Sequence, residues 1–291
     1  MEEHRGSYGV RAMCEALAVS SSGYYDWRSR PESERARADR RLLVAIRTVH
    51  RESGETYGAL RVHAELKARG VACGKNRVAR LMREHGVRAR LPKRRPKAQA
   101  PAPLSPVADN VLARAFQPAA PNRAWVADIT YIPTGEGWLY LSVVLDLFSR
   151  RVVGWSARPS LGRELAIDAL TTAVRGRRPE PGLLHHSDQG TQYTSSEYRD
   201  LLRRHGLVCS MSRRGRCLDN APAESFFGTL KTEVVRGRRF ETQAEARSTL
   251  FAYLESFYNT RRRHSALGYL TPAEYERRHA DTRAPLLAPV P

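Results

Sequence analysis

The segment LDNAPAESFFGTLKTE, residues 218–233, presents a carboxylate in a place where it can do chemistry. Asp219 or Asn220 is a good cap for a helix, and Pro222 suits the first turn of that helix. Glu224 then lies one turn inside the helix. Because the chain has a formal net charge of +19, an acid in this position needs partners or a function.

Two aspartates stand out in the text that precedes this helix. Asp128 lies within the strand-like run AWVADITYIP, where a charge among buried neighbours is costly. Asp188 ends the predicted short strand GLLHHSD, where the chain turns through Gly190. Functional crevices of mixed sheets open at strand ends. We therefore expect both acids to reach one edge of the sheet.

Three carboxylates brought together repel one another unless a cation shares the site, and hard oxygen ligands select Mg²⁺ or Mn²⁺. Two such ions about 3.5–4 Å apart can activate an attacking oxygen and stabilise the leaving oxygen of a phosphodiester. Lys231 is about 20° from the Glu224 face of the helix, roughly 10 Å along its axis, and is predicted to hold the DNA backbone. Taken alone, three acids among 30 are equally compatible with capped turns, surface acids or buried pairs.

The charge of the chain favours a polyanionic partner. Lys and Arg number 49 against 30 acids, with 24 basic and 12 acidic residues in the first 122 positions. Phosphates neutralised by such residues release counterions, so nucleic acid is the leading candidate. An Arg-rich coding bias or a ribosome-associated protein are the alternatives. The basic run NTRRRHSALGY predicts phosphate contacts by Arg261 and Arg262, or else a solvated helix end.

Other function classes are disfavoured by what the chain contains. Its four cysteines form no C-x-x-C pair, so the pattern indicates neither a disulfide framework nor a zinc knuckle. There is no apolar run of 18 residues, and the first ten residues do not resemble a signal peptide. We expect a cytoplasmic protein without a membrane partner.

Helical periodicity dominates residues 1–90. Three runs with apolar residues at helical spacing, RRLLVAIRTVHRE, YGALRVHAELKARG and GKNRVARLMREHG, are separated by turns that contain Gly. They predict a small all-α helix-turn-helix domain that binds DNA. Its last helix carries the candidate DNA contacts Lys75, Asn76, Arg77, Arg80 and Arg83. The alternative is an ordinary solvated basic face.

The remaining chain divides by composition. Residues 91–122 predict a basic, Pro-rich linker with no packed element. Residues 123–280 predict a catalytic core with a C-terminal helical extension, and 281–291 a flexible tail. Within the core, AWVADITYIP, WLYLSVVLDLFS and RRVVGWSA predict a three-stranded meander. Alternating helices and strands follow, which predicts a mixed sheet covered by helices.

Three further residues resemble metal ligands. His185 and His186 precede Asp188, but adjacent residues of a strand point to opposite faces, so a joint imidazole site is disfavoured. Asp146 ends the second strand-like run before a turn that contains Arg150 and Arg151. We expect those arginines to pair with it, as a structural acid rather than a fourth ligand.

Five ordered blocks resemble the catalytic subunit of bacterial insertion-sequence transposases, which share the retroviral integrase core. The blocks are WVADITYI, GWLYLSVVLDLFSRRVVGW, HHSDQGTQYTS, LDNAPAESFFGTLKTE and FYNTRRRHSALGYLTPAEY. The resemblance runs from about Leu42 to Tyr275. Between Asp188 and Glu224 lie 35 residues, the spacing of that family's acidic triad.

The resemblance implies a ribonuclease-H-like mixed five-stranded sheet flanked by helices and preceded by the helix-turn-helix domain. It also implies that Asp128, Asp188 and Glu224 are catalytic and bind two Mg²⁺ ions, for which Mn²⁺ can substitute. Lys231 would touch the element's terminal DNA. The expected reaction is cleavage at the element's 3′ ends followed by transesterification. A nuclease on the same fold and an inactive DNA-binding regulator are the alternatives.

Partners are implied by the same resemblance. They are the terminal inverted repeats of the element, target DNA and further copies of the chain on that DNA. The chain lacks the His-His-Cys-Cys zinc module of viral integrases. It also lacks a leucine zipper and a second, separate N-terminal helix-turn-helix. In such elements an upstream reading frame supplies both of these segments, joined through ribosomal frameshifting. We therefore expect an upstream-frame partner and a place on the bacterial nucleoid.

Overall fold

The computed structural model describes residues 1–90, 108–213 and 217–283. Most of the predicted linker, residues 91–107, and most of the predicted tail, residues 284–291, lie outside the described residues. The structure therefore does not test those two predictions there.

A mixed five-stranded sheet forms the centre of the protein. Its strands are β1 (Ala124–Thr134), β2 (Gly137–Asp146), β3 (Val152–Arg158), β4 (Leu184–Ser187) and β5 (Val208–Met211), in the spatial order β3-β2-β1-β4-β5. The first three strands are antiparallel, while β4 and β5 run parallel to β1. The predicted meander and the ribonuclease-H-like mixed sheet are confirmed.

Helices cover both faces of this sheet because β1 and β2 alternate between two apolar faces. On one face, Trp125 and Ala127 pack against α6 (Arg163–Arg177), α7 (Thr191–Thr194) and α8 (Ser196–Arg204). Gly154 permits the approach of α6, since a Cβ at this position would lie 2.3 Å from a backbone oxygen of that helix. The sheet is therefore held tightly to α6.

The opposite face carries the helix of interest. Val126 and Ile132 pack with α9 (Ala221–Leu230) and α10 (Gln243–Phe251). A π-helical turn, Lys231–Val235, extends α9, and another, Ala252–Tyr258, extends α10. A later helix, α11 (Pro272–Arg283), completes the C-terminal extension. Asp128 and α9 therefore share one face of the sheet.

The N-terminal region is helical, as predicted. It contains α1 (Val10–Ala16), α2 (Ser21–Ser29), α3 (Glu34–Glu52), α4 (Ala59–Ala68) and α5 (Lys75–Glu84). Buried apolar residues from α3, α4 and α5 form a core separate from the two sheet cores, with Ile46, Val62, Leu66 and Val78 among its members. Ser33 caps α3 by accepting a hydrogen bond from the Ala36 N–H.

Contacts join this helical region to the C-terminal extension. The Tyr57 hydroxyl accepts a hydrogen bond from the Arg263 N–H at 2.7 Å. The Arg263 guanidinium binds Glu65 of α4 at 2.8 Å and Glu274 of α11 at 2.7 Å. Arg263 is buried, so these contacts form an interior link between α4 and α11.

Residues 108–122 correct one sequence expectation. Leu112 is buried in the sheet core, and its N–H donates to the Ser210 Oγ. The Met211 N–H donates to the Asp109 carbonyl at the edge of β5. Absence of an apolar period excludes a regular element but not an irregular strap whose backbone groups bond to a strand. The boundary between linker and core stays a prediction.

Among residues 1–90, 108–213 and 217–283, no helix has both the length and the apolar character needed to cross a membrane.

Candidate active site

Asp128 lies in the middle of β1, at the point where the neighbouring strand ends. β4 pairs with β1 only as far as Val126, opposite His186. Asp128 follows two residues later, on the same face as Val126. It is half-buried, and its carboxylate accepts a hydrogen bond from the Ile129 N–H at 2.8 Å. The charge therefore lies where the sheet opens, which explains its place in a strand.

Asp188 follows the last residue of β4. Two more steps of the parallel register place it beside Asp128. The pKa of Tyr193 is raised by burial and, in addition, by the charges of both Asp128 and Asp188. Asp188 is exposed, yet the surrounding protein atoms raise the pKa of its carboxyl, and a hydrogen bond from the Gly190 N–H at 2.9 Å offsets part of that effect. The structure thus brings the two aspartates together.

The start of the helix that carries Glu224 is tied to β1 beside Asp128. Asn220 occupies the N-cap position of α9, but its side chain does not cap the helix. Its Nδ2 instead donates to the carbonyl oxygen of Ala127, the residue before Asp128, at 3.1 Å. Pro222 lies in the first turn, as predicted. Glu224 is half-buried one turn beyond this tether, on the helix whose start is bound to the residue before Asp128.

The predicted three-acid cage is not assembled as a single ligand cluster. Within the described part of the chain, no three Asp, Glu, His or Cys side chains are gathered closely enough to hold a metal ion. The available donors nevertheless suit Mg²⁺, which prefers carboxylate, amide and water oxygens. Buried Asn220 Oδ1 has no hydrogen-bond partner in the described residues, and such an oxygen can accept a bond from a coordinated water. The oxygen donors present at this part of the sheet therefore fit a magnesium ion in their chemistry.

Asp219 anchors the same helix start, in a role that the sequence did not predict. Its fully inaccessible carboxylate accepts hydrogen bonds from Arg213 (2.9 Å), Arg114 (2.8 Å) and Asn110 (2.9 Å). The hydrogen bond from Arg213 is the main cause that lowers the pKa of Asp219. The carboxylate joins the end of β5, the strap of residues 108–122 and the start of α9, so it positions α9 rather than capping it.

Replacement of Asp219 by Asn should destabilise the fold. The amide would lose the charge that Arg213 and Arg114 need and would present a donor to them, so we expect a loss of about 1–3 kcal/mol. Asp200→Asn is the control, since this exposed acid pairs with an exposed arginine and should cost under about 0.5 kcal/mol. Urea unfolding at pH 7 measures both. Equal stability of the two variants would contradict the anchoring role.

The two histidines have structural partners. His186 lies with one ring nitrogen 2.8 Å from Ser210 Oγ and the other 3.0 Å from Ser212 Oγ. His185 approaches the Tyr198 hydroxyl at 3.0 Å in the core on the opposite face. Burial lowers the pKa of His186 to about 4, so it is neutral near pH 7. Its ring nitrogens are already engaged, which agrees with the prediction that it is not a metal ligand.

Asp146 is a structural acid, although its partners differ from those predicted. It is fully buried and accepts hydrogen bonds from the Asn122 N–H (2.7 Å), the Phe148 N–H (2.8 Å) and the Trp125 indole (3.3 Å). The nearest guanidinium is that of Arg177, at 3.7 Å. The expected pairing with the side chains of Arg150 and Arg151 is wrong, because Arg151 binds Glu276 and Arg150 binds the Phe116 carbonyl.

The predicted DNA contacts on α5 fall into two groups. Lys75, Asn76 and Arg83 are exposed. Arg77 and Arg80 both bind Asp39 of α3, each at 2.6 Å, and the hydrogen bond from Arg80 is the largest cause that lowers the pKa of Asp39. These two arginines hold α5 against α3. Arg80 also pairs with Glu84 at 2.8 Å, so two acids largely neutralise the two arginines within the protein.

The basic run after α10 is also divided. Arg261 is exposed, as a phosphate contact requires. Arg262 is buried and donates to both carboxylate oxygens of Glu233, at 2.8 and 2.6 Å. The sequence-based assignment of Arg262 to DNA binding is therefore wrong for this structure, because its donors face an interior acid. Lys231 is exposed at the end of α9.

Known families and proteins resemble this chain over most of its length. Profiles called Integrase core domain match residues 118–217 and 205–272, and one called HTH-like domain matches residues 37–95. The chain is 39% identical to transposase InsF for insertion sequence IS3A of Escherichia coli (strain K12), covering 96% of this chain and 98% of that protein. It is 43% identical to an uncharacterized 31 kDa protein of insertion element IS600 from Shigella sonnei, covering 92% and 98%.

Among solved structures, the catalytic core domain of HTLV-2 integrase, determined in complex with magnesium, has a TM-score of 0.43 and 16% identity. The match covers 55% of this chain and 99% of that chain.

Proposed function

Since this chain belongs to the IS3 family of insertion-sequence transposases, we propose that Asp128, Asp188 and Glu224 form its catalytic site. The integrase core makes the protein a polynucleotidyl transferase that acts on DNA. The observation that carries the proposal is the register of β1 and β4, which juxtaposes the two aspartates. The tether from Asn220 to Ala127 then adds α9 and its glutamate.

The proposed reaction is cleavage at the 3′ ends of the element, followed by direct attack of the new 3′-hydroxyl on a target phosphodiester. A divalent cation, Mg²⁺ with Mn²⁺ as a substitute and two ions in the full site, would supply a polarised oxygen nucleophile and stabilise the leaving oxygen. Asp128 and Asp188 provide the charge that holds it. Glu224 completes the oxygen donors by rotation of its side chain on the anchored helix.

The environment of Asp188 supports cation binding. Nearby protein atoms raise the pKa of its carboxyl although the residue is exposed, so its charged form is disfavoured when no cation is present. A cation shared with Asp128 removes that cost. When the cation is missing, the negative charge of the carboxylates repels the phosphate of DNA. The acidic centre of a basic protein is thus explained by a cation that joins two groups of like charge.

Metal binding can be tested without measuring activity. Calorimetric titration of the full chain with Mn²⁺ should show binding that Asp128→Asn or Asp188→Asn weakens at least about tenfold, a loss of about 1.4 kcal/mol. Asp200→Asn, which alters an exposed acid on α8, should leave the affinity unchanged. Parent-like affinity in both active-site variants would contradict the proposed ligands.

Lys231 is proposed to bind a phosphate of the terminal DNA. It is exposed and follows Glu224 by two turns of α9. We expect Lys231→Ala to reduce joining of a pre-cleaved end about tenfold and Lys231→Arg to retain much of it, because a guanidinium also binds phosphate. The assay is run over a salt series. If Lys231→Ala matches the parent at every salt concentration, the phosphate contact is wrong.

Further exposed residues and partner chains belong to the proposed function. We propose that the exposed Lys75, Asn76 and Arg83 of α5 contact the terminal repeats, since HTH-like domains present a helix to the major groove. Arg261 is proposed to follow the DNA backbone. Several copies of the chain acting together on DNA, and a subunit from an upstream reading frame, also remain proposals.

A further inference from the structure

A basic cleft lies at the C-terminal end of α3, away from the N-terminal residues of α5. It has a volume of about 430 Å³ and lies between the last turns of α3 and the residues that follow α5. The charged and polar side chains of its wall belong to Arg47, His50, Arg51, Glu55 and Arg88. None of these residues was a candidate DNA contact in the sequence.

The charge of this cleft is not neutralised by the protein. Arg47 and Arg51 are one turn apart on α3, and both are exposed, as is Arg88. Among the described residues, none of these three arginines has an acidic side chain within ion-pair distance, whereas Arg77 and Arg80 share Asp39.

Glu55, the acid on the cleft wall, has a partner of its own. Its carboxylate pairs with Arg90 at 3.4 Å. The cleft therefore presents three positive charges to solvent.

The backbone that carries Arg88 is fixed in place. A ring nitrogen of His50 lies 3.2 Å from the Arg88 carbonyl oxygen, which ties the segment to α3. The Val87 N–H donates to the Met82 carbonyl at 2.8 Å, and the Arg90 N–H donates to the Glu55 carbonyl at 3.0 Å. The two walls of the cleft are therefore held at a set spacing, and less ordering is needed when an anion binds.

We propose that this cleft binds backbone phosphates of duplex DNA and orients the helical region on the duplex. The inference rests on the proposed function, in which this region contacts DNA. Guanidinium groups match phosphate geometry and bind it in a bidentate manner. Phosphate contacts set the register of a protein on DNA, while other residues read the bases. Lys75 and Asn76, at the start of α5, are left to reach base edges.

The test uses fluorescence anisotropy to measure the affinity of the full chain for a random-sequence duplex of about 30 base pairs. The affinity is measured over a series of salt concentrations. Each phosphate contact contributes about 0.9 to the slope of log affinity against log salt. The variant with Arg47, Arg51 and Arg88 all changed to Ala should therefore lose about 2–3 from the slope. The corresponding triple Lys variant should retain most of it, since the charge remains.

A charge-matched control removes three exposed arginines of the core, with Arg203, Arg277 and Arg278 changed to Ala. Its slope should stay within about 0.5 of the parent value. An unchanged slope in the Ala variant of the cleft, or an equal loss in the control, would overturn the proposal. If millimolar inorganic phosphate raises the melting temperature of the parent but not of the cleft variant, and the slope is unchanged, the cleft binds small anions rather than DNA.

Failure of this inference is distinguishable from failure of the proposed function. If the parent joins DNA ends in the presence of Mg²⁺ and the cleft variant keeps the parent slope, only the cleft is wrong. If the Ala variant of the cleft loses about 2–3 from the slope but the parent joins no ends under any condition, the catalytic proposal is wrong and the cleft stands.

Discussion

Asp128→Asn, Asp188→Asn and Glu224→Gln are each expected to reduce DNA cleavage and joining at least about a hundredfold, which corresponds to about 2.7 kcal/mol of barrier. Each change removes one negative charge from the oxygen donors while keeping the shape of the side chain. Two further steps of the β1–β4 register lead from Val126 and His186 to these aspartates, and both charges act on Tyr193, so loss of either should weaken cation binding directly. Cleavage of a labelled terminal duplex measures the effect.

Binding of the same duplex should persist or become tighter in these variants, because a negative charge is removed from a basic surface. Asp200→Asn, on the exposed face of α8, serves as the control and should cleave at the parent rate. A triad variant that cleaves within about threefold of the parent, a difference of only about 0.7 kcal/mol, would remove its residue from the site.

Arg262→Ala is expected to destabilise the protein by about 3–5 kcal/mol, because it leaves the buried carboxylate of Glu233 without its main partner. Glu233 lies on the π-helical turn that extends α9 and also accepts a hydrogen bond from the Tyr253 hydroxyl. Arg61 of α4 approaches the same carboxylate at 3.9 Å. The melting temperature should fall by roughly 10 °C. Thermal unfolding followed by circular dichroism measures the change.

Arg261→Ala provides a matched control from the adjacent position. Arg261 is exposed, so its loss should change stability by less than about 0.5 kcal/mol. Simultaneous replacement of Glu233 by Gln and Arg262 by Met should recover much of the lost stability, since both charges of the buried pair are removed and Arg61, the cation left beside them, is partly exposed to solvent. A loss below about 1 kcal/mol in Arg262→Ala would contradict the interior role.

The strands and the position of each acid were predictable because their signals are local. Alternating apolar residues indicated β1 and β2, and a turn through Gly190 marked the end of β4. Spacing between Asp188 and Glu224, together with the motif around each acid, indicated the family. Periodicity together with turn residues was therefore sufficient for the order of the strands, while the resemblance was needed for the identity of the sheet.

The roles of the basic residues were not predictable in the same way. Arg77 and Arg80 bind Asp39, which lies 38 and 41 positions away in the sequence. Arg262 binds Glu233 across 29 positions. Such pairs depend on how helices pack, and no periodic pattern reveals them. A basic run therefore identifies charge, but only burial and partners distinguish a DNA contact from an interior ion pair.

The start of α9 shows a second limit of sequence reasoning. Asp219 and Asn220 both have the chemistry of a helix cap, and the structure uses neither side chain as one. Asp219 instead binds residues from the strap and from the end of β5, and Asn220 binds the backbone of β1. These partners are brought to α9 only by the tertiary fold. The local pattern located the helix correctly but not the function of its first residues.

Strand joining by the full chain is the most direct test of the central claim that the Asp128, Asp188 and Glu224 site transfers DNA strands. A duplex with a labelled, pre-cleaved terminal 3′ end is incubated with target DNA and Mg²⁺. We expect a longer labelled product, formed by attachment of that 3′ end to target DNA, which disappears with a chelator or with Asp188→Asn. Shortened labelled fragments without any joined product would identify a nuclease instead, and an undiminished joined product from Asp188→Asn would contradict the proposed site.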